Sequence, residues 1–191
     1  MPQVFFTADS HFGHAGILAP RMHAPRPFAT IEEHDETLVA GWNAVVGPHD
    51  TVWHLGDFAY RCPEAHAAAI FDRLNGRKFL VRGNHEKIGV RLPWDAPVAD
   101  VTRIRVPLPE GGERGIWLSH YAHRTWPHLH RGDIHLYGHS HGSLPGTSDS
   151  TDVGVDCWNW QPASLERILA RLADPGVAAC PAIRLSHGTS G

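Results

Sequence analysis

Short apolar runs alternate with amphipathic segments along the first half of the chain. Two amphipathic helices are predicted there. Thr30 and Glu33 have the spacing of a capping box, and Pro63 opens the second helix. Three runs rich in β-branched and aromatic residues predict buried strands. They cover residues 4–8, 51–55 and 78–82. This βαβαβ order indicates an α/β protein.

The second half of the chain has a different pattern. Residues 102–108 alternate apolar and polar side chains, Gly111-Gly112 forms a turn, and residues 115–119 return, so an antiparallel hairpin is predicted. The remaining predicted elements are strands at residues 133–137 and 152–155 and a short amphipathic helix at residues 164–172. We therefore predict an α/β fold in which two β-sheets pack together between helices.

Side chains that can bind metal directly follow five of the predicted strands. In chain order they are Asp9-Ser-His11, Asp57, Asn84-His85, His120 and His139-Ser-His141. The carboxyl ends of the strands in an open α/β sheet share one edge, where ligands bind. Residues far apart in sequence are therefore expected to meet there. Glycine precedes Asp57, Asn84 and His139, which fits a backbone that turns sharply at the end of each strand.

The number of donors at these strand ends predicts two metal ions rather than one. Seven side chains offer oxygen or nitrogen and none offers sulfur: Asp9, His11, Asp57, Asn84, His120, His139 and His141. One catalytic ion takes about four to six ligands and keeps a position for water, so seven are too many for it. Two ions can share a carboxylate, hold a hydroxide and clamp a phosphoryl group. Mixed nitrogen and oxygen donors favour Mn, Fe, Zn, Ni or Co over Ca or Mg, and Mn²⁺ is the ion we expect.

Composition narrows the class of protein. Of 191 residues, 42% are hydrophobic and 19% are charged, which is typical of a globular protein. The net charge of −3 offers no broad basic surface for nucleic acid. The chain has three cysteines without a C-x-x-C pair, no basic leader and no apolar run of about 20 residues, so we expect a cytoplasmic protein without a membrane partner. One domain is predicted over residues 1–180, followed by a flexible tail at residues 181–191.

The strand-end motifs resemble those of the calcineurin-like metallophosphoesterase family and occur in the same order. The matching segments run from Asp9-Ser-His11 through Gly83-Asn84-His85-Glu86 to Gly138-His139-Ser140-His141. More narrowly, Asp9-Ser-His-Phe-Gly-His14 and the closing Val153-Gly-Val-Asp156 are similar to a small bacterial and phage subgroup that has a single domain.

This resemblance implies a four-layer αββα sandwich, two mixed sheets flanked by helices, with a dinuclear site at one edge. His85 is implied to lie beside the leaving group, where it protonates that group or stabilises its charge. Asp57 and Asn84 join His85 as the residues implied to act in catalysis. The resemblance assigns Asp9, His11, Asp57 and His141 to one ion, and Asp57, Asn84, His120 and His139 to the other.

We therefore predict a metal-dependent phosphoesterase, above all a phosphodiesterase, in which a hydroxide that bridges the ions attacks phosphorus. Small phosphate esters or nucleotides are the expected partners. His14 and Arg124 are candidate substrate contacts, and an ordinary role in a turn or on the surface is the alternative for each. Two other functions stay open: a nuclease that acts on polynucleotides, and a non-catalytic binding scaffold stabilised by metal.

The remaining histidines that bear on the argument are assigned to the core or the surface. His54 lies within a predicted strand and is expected in the core or behind the ligands, whereas His34 and His66 are expected on the surface.

Overall fold

The computed structural model of the chain describes residues 2–22 and 24–174. It confirms an α/β fold, with two four-stranded β-sheets and three α-helices in the described part of the chain. The strands are β1 Val4–Thr7, β2 Thr51–His54, β3 Arg77–Leu80, β4 Val101–Pro107, β5 Glu113–Ser119, β6 Ile134–Tyr137, β7 Ser150–Asp152 and β8 Ala163–Ser164. The helices are α1 Ile31–Val45, α2 Glu64–Arg73 and α3 Leu165–Ala173. The predicted tail at residues 181–191 lies outside the described residues, as does the end of the predicted domain at residues 175–180.

The first sheet has the spatial order β3-β2-β1-β8. Strands β1, β2 and β3 are parallel, as expected for strands joined by helices, and β8 runs antiparallel to β1. The first helix begins at its predicted capping box, where Thr30 Oγ1 accepts a hydrogen bond from the Glu33 amide at 3.1 Å. The parallel strands therefore end at one edge of the sheet, and the loops after them are neighbours.

The second sheet has the order β4-β5-β6-β7. The predicted hairpin is confirmed by the antiparallel pairing of β4 with β5, and β5, β6 and β7 are parallel. The two sheets meet where Ala8, after β1, forms a parallel bridge with Gly154, after β7. The Val155 amide also donates to the Ala8 carbonyl at 3.1 Å. Because this bridge is parallel, the carboxyl ends of the parallel strands in both sheets converge on one edge of the protein.

Two hydrophobic clusters hold these layers together. Side chains alternate along β1, so Phe5 packs with Leu38 and Phe71 of the helices α1 and α2, whereas Phe6 packs with Leu118 and other residues of the second sheet. Helix α3 contacts β1 and β8 of the first sheet and β7 of the second. No helix in the described part of the chain is long and apolar enough to cross a membrane.

Two local predictions needed correction. The strand predicted at residues 152–155 lies at Ser150–Asp152, and Val155–Cys157 forms a short 3-10 helix. The strand β8 was not predicted, since a two-residue strand has no alternation of apolar and polar positions to recognise.

Candidate metal centre

The backbone at the predicted ligands adopts an uncommon conformation. Among the described residues, nine that are not glycine have a positive φ, and five of these are predicted ligands. A left-handed backbone costs such a residue about 1 kcal/mol or more, so the surrounding packing must hold it in place. The five ligands are Asp9, His11, Asp57, His139 and His141, with φ between 47° and 66°.

Asp9, His11 and His141 form what we call the first half-site. Asp9 and His11 are buried, and one oxygen or nitrogen atom from each of the three lies within 4.8 Å of the others. The Nε2 atoms of His11 and His141 face each other at 3.4 Å, with their rings stacked. Oδ1 of Asp9 is buried and has no hydrogen-bond partner among the described residues. Buried polar atoms nearly always have a partner, so this group of atoms fits a bound cation.

Asn84, His120 and His139 form what we call the second half-site. Burial lowers the pKa of His120, which favours the neutral ring, and Nδ1 donates to the Leu55 carbonyl at 2.8 Å. This leaves Nε2 as an acceptor, yet it lies 2.9 Å from another acceptor, Asn84 Oδ1. Two acceptors in such contact repel unless a cation lies with them. His139 is more exposed, and its ring centroid lies 5.1 Å from that of His120.

Asp57 lies between the two half-sites. Its Oδ2 is 3.7 Å from Nε2 of His11 and 3.7 Å from Nε2 of His120. Its Oδ1 accepts a hydrogen bond from the His85 amide at 2.8 Å, which fixes the orientation of the carboxylate. An atom group formed by Asp9, Asp57 and His120 also lies within 4.8 Å. The Asp57 carboxylate therefore lies near histidines of both half-sites, the location that the family resemblance implies for a shared ligand.

Glycines at the strand ends act in two ways. Gly56 has a φ of 99°, which confirms a sharp turn before Asp57. The φ of Gly83 is not in the left-handed region. Any other residue at this position would place its β-carbon 2.2 Å from Asp57 Oδ1. At Gly138 it would lie 2.7 Å from Asp9 Oδ2. At these two positions the reason for glycine is close approach to a ligand rather than a turn.

Asp156 supports the first half-site, a role that the sequence did not predict. Its Oδ2 accepts a hydrogen bond from Nδ1 of His141 at 2.8 Å, which directs Nε2 of His141 towards His11. Burial alone would lower the pKa of His141, but this hydrogen bond and the charge of Asp9 raise it to about 9. Burial also raises the pKa of Asp9 well above its usual value. Asp9 and His141 thus both bind a proton more readily than usual, whereas burial lowers the pKa of His11 in the same half-site.

Glu86 supports the side of the site nearer the second half-site. Its carboxylate accepts hydrogen bonds from three backbone amides, those of Asp57 at 2.5 Å, Phe58 at 3.1 Å and Gly83 at 3.2 Å. Glu86 therefore ties the loop after β2 to the loop after β3. Burial raises its pKa to about 7. Its place in the Gly83-Asn84-His85-Glu86 motif was the only sequence signal for this role.

His85 and His14 lie at the edge of the ligand group, and neither belongs to it. The rings of both have centroids 6.0 Å from the ring of His11. Tyr60, which the sequence did not single out, packs against both, at 4.2 Å from His85 and 4.9 Å from His14. Burial lowers the pKa of His14. Both histidines are therefore within reach of a ligand bound at the metal centre.

Arg124 lies elsewhere. It lines a separate cavity of about 380 Å³ with Trp126, Tyr137 and Leu144, and none of the seven predicted ligands lines that cavity. The structure therefore does not bring Arg124 together with the metal ligands, and its contact with substrate stays a prediction. His54 is fully buried and bonds Ser10 Oγ at 2.9 Å, as expected of a histidine behind the ligands.

Comparisons with known proteins identify similar proteins, but the names of these proteins state no activity. No protein-family model matches the chain. A solved structure of a protein of unknown function from Aquifex aeolicus has a similar fold, with a TM-score of 0.64 and 21% identity over 90% of this chain and 100% of that one. An uncharacterized protein from Methanocaldococcus jannaschii is 28% identical, covering 92% of this chain and 94% of its own length.

The Gene 66 proteins of two mycobacteriophages are similar over most of their length. The protein from phage L5 is 32% identical and that from phage D29 is 31% identical, each over 83% of this chain. The matches cover 88% and 90% of the two phage proteins. The chain therefore belongs to the family of the mycobacteriophage Gene 66 proteins.

Proposed function

We propose that this chain is a phosphoesterase that requires two divalent metal ions, and that its substrates are phosphodiesters. The observation that carries this proposal is the position of Asp57 Oδ2, 3.7 Å from a histidine nitrogen of each half-site. A carboxylate placed in this way is what a shared ligand of two ions requires. The resemblance to calcineurin-like metallophosphoesterases leads to the same assignment.

The donors fit two transition-metal ions. Asp9, His11 and His141 would hold the first ion with Asp57, and Asn84, His120 and His139 would hold the second with Asp57. The unpartnered Asp9 Oδ1 and the contact between Nε2 of His120 and Oδ1 of Asn84 are both relieved by positive charge. Mixed nitrogen and oxygen donors suit Mn²⁺, the ion we expect, as well as Fe, Zn, Ni and Co. When bound, such ions supply Lewis acidity and a water of lowered pKa.

The chain itself supplies a proton donor for the leaving group. The His85 amide is fixed by Asp57 Oδ1, and its ring packs on Tyr60 at 4.2 Å and lies 6.0 Å from the ring of His11. His85 is thus held near the ligands without being one of them. A histidine in this position can protonate the departing oxygen or stabilise its charge. His14, which also packs against Tyr60, is the second residue within reach of the substrate.

The architecture is consistent with the four-layer αββα sandwich of this enzyme family. The two sheets share one hydrophobic cluster, and α1 and α2 pack on the other face of the first sheet. These are three of the four layers that the proposal requires.

The test is a screen of phosphate esters with protein loaded with Mn²⁺. We expect hydrolysis of bis(p-nitrophenyl) phosphate and of a set of cyclic nucleotides, both abolished by a chelator and restored by Mn²⁺. The Asp57→Ala variant is the control for contaminating activity. No hydrolysis of any ester by protein that has bound metal would favour a non-catalytic scaffold. Cleavage of DNA or RNA with strongly salt-dependent binding would indicate a nuclease.

A further inference from the structure

Arg26 is a buried arginine that no sequence motif marked. It lies in the irregular segment before α1 and is 3% exposed. Nε donates to Asp156 Oδ1 at 2.9 Å, and Nη2 donates to Asp156 Oδ2 at 2.8 Å and to the Asp9 carbonyl at 2.6 Å. Nη1 donates to the Ser10 carbonyl at 3.0 Å and lies 2.8 Å from Nε2 of His34. All five N–H groups of the guanidinium therefore have an acceptor.

These contacts join the two chain segments that carry the first half-site. The carbonyls of Asp9 and Ser10 belong to the loop after β1, where Asp9 and His11 have a left-handed backbone. Asp156 belongs to the segment after β7 and holds Nδ1 of His141. The Arg26 guanidinium thus holds the backbone of the segment that carries Asp9 and His11. Through the Asp156 carboxylate it also orients His141.

The position of Arg26 is fixed from behind by His34. His34 was expected on the surface, but it is fully buried, because it lies on the face of α1 that packs inward. Its Nδ1 lies 2.8 Å from Asp35 Oδ1, and Asp35 also bonds the Gly13 amide and Nε2 of His66. Since Nδ1 of His34 donates to Asp35, Nε2 is left to accept from Arg26. This chain of contacts fixes the guanidinium in one orientation.

The second half-site has no contact with Arg26. His120 is held by the Leu55 carbonyl, and the loops that carry Asp57 and Asn84 are held by Glu86. Removing Arg26 should therefore disturb one half-site and leave the other. Without Arg26, Asp156 keeps His141 as a partner but loses the two hydrogen bonds that orient its carboxylate, so the direction of the His141 ring is less firmly fixed.

We propose that Arg26 is the positioning residue of the first half-site and sets the affinity for the ion bound there. This inference rests on the proposed function, because it requires that the chain bind two metal ions. Groups that orient a metal ligand typically change its affinity by about 10–100-fold. Arg26 should act on the first ion by about that factor and hardly change the second.

The experiment compares Arg26→Ala with Arg103→Ala in the full chain. Arg103 makes a similar two-bond contact to a carboxylate, donating to Asp133 at 2.6 Å and 3.2 Å, but in the second sheet and away from the ligands. Mn²⁺ binding is measured by titration, and coupling between two Mn²⁺ ions by electron paramagnetic resonance. We expect Arg26→Ala to keep one tight ion and to lose the coupling, whereas Arg103→Ala keeps both. Arg26→Lys should restore little, because an ammonium has three donors and no planar fork.

Reference variants identify which ion is weakened. Arg26→Ala should weaken the same ion as His141→Ala, and adding it to His120→Ala should weaken both ions. Wild-type binding of both ions by Arg26→Ala, or equal weakening of both, would overturn the inference. If Arg26→Ala does not fold, Asp156→Asn decides: selective loss of the first ion supports the inference, and unchanged binding overturns it. Failure of the wild-type protein to bind Mn²⁺ would instead contradict the proposed function itself.

Discussion

The two half-sites of the candidate metal centre are built in different ways. The ligands of the first half-site are oriented by charged side chains, since Asp156 holds His141 and Arg26 holds both Asp156 and the loop of Asp9. The second half-site is oriented through the backbone, since a carbonyl holds His120 and Glu86 bonds three amides. One half therefore depends on ionic partners that are remote in sequence, and the other on loops that follow adjacent strands.

The half-sites also differ in exposure. In the first half-site Asp9 and His11 are buried and His141 is partly buried, whereas in the second half-site His120 is buried but Asn84 and His139 are exposed. A buried half-site needs its charges balanced inside the protein, which accounts for the arginine and the second carboxylate behind it. The proposed function therefore predicts that a substrate approaches from the side of Asn84 and His139. The comparison teaches that two half-sites around one carboxylate can have different supports, although the His139 amide donates to Asp9 Oδ2 at 2.8 Å and links them.

Removing the shared ligand should erase the difference between the half-sites. Asp57→Ala takes away the oxygen that lies 3.7 Å from a histidine of each half, so both ions should be lost together. Metal analysis after gel filtration should give less than one ion per chain, and hydrolysis should fall to the level of the metal-free protein. Asp9→Ala is the matched carboxylate variant and should weaken chiefly the first ion. Retention of two ions by Asp57→Ala would exclude Asp57 as the shared ligand.

His85 should separate catalysis from metal binding. Its ring lies 6.0 Å from that of His11 and is assigned to neither half-site, so His85→Ala should keep both ions and lose turnover by about 10²–10⁴-fold. The loss should be larger for a nucleoside leaving group than for p-nitrophenolate, which needs little protonation. Equal losses with the two leaving groups would indicate that His85 stabilises charge instead. Loss of one ion in this variant would show that His85 is a ligand.

A Glu86 variant tests the support of the second half-site, as the Arg26 variant tests the support of the first. Glu86→Gln replaces one acceptor oxygen by a donor that faces backbone amides, so the loops of Asp57 and Asn84 should loosen. We expect the second ion to bind about 10–100-fold more weakly, with a smaller change at the first. Competition titrations with a metal chelator measure the two affinities. Selective weakening of the first ion would contradict the division of supports described above.

Acid should act on the fold as well as on the ligands, and His135 separates the two effects. This buried histidine bonds the Trp117 carbonyl and the His123 amide, and burial lowers its pKa to about 4. It is neutral when folded but takes up a proton below about pH 6.5 when unfolded, so its share of stability is lost as pH falls from 6.5 towards 4. Between pH 8 and pH 5.5 the loss should be about 1.4 kcal/mol.

The contribution of His135 to stability is measured by denaturant unfolding at pH 8 and pH 5.5. The metal-free wild-type protein is compared with His135→Gln. Glutamine does not titrate, so the variant should lose about 1.4 kcal/mol less than the wild type over the same interval. Identical pH dependence of the two proteins would mean that His135 is not kept neutral by the fold.

The sequence predicted the parts of this site that are local. Each strand end is marked by an apolar run that stops at a ligand, so Asp9, Asp57 and His120 could be found without knowing the fold. What could not be found was the support behind them. Arg26 lies in a segment without regular structure, and His34 resembles any polar residue of a surface helix. Their burial is decided by packing between segments far apart in the chain, which no local pattern records.

The most direct test of the dinuclear centre is anomalous diffraction from crystals of Mn²⁺-loaded protein that hydrolyses a phosphodiester in solution. The account predicts two peaks about 3.5–4 Å apart, one among Asp9, His11 and His141, the other among Asn84, His120 and His139, with Asp57 touching both. A single peak in fully active protein, or two peaks that do not share Asp57, would contradict it.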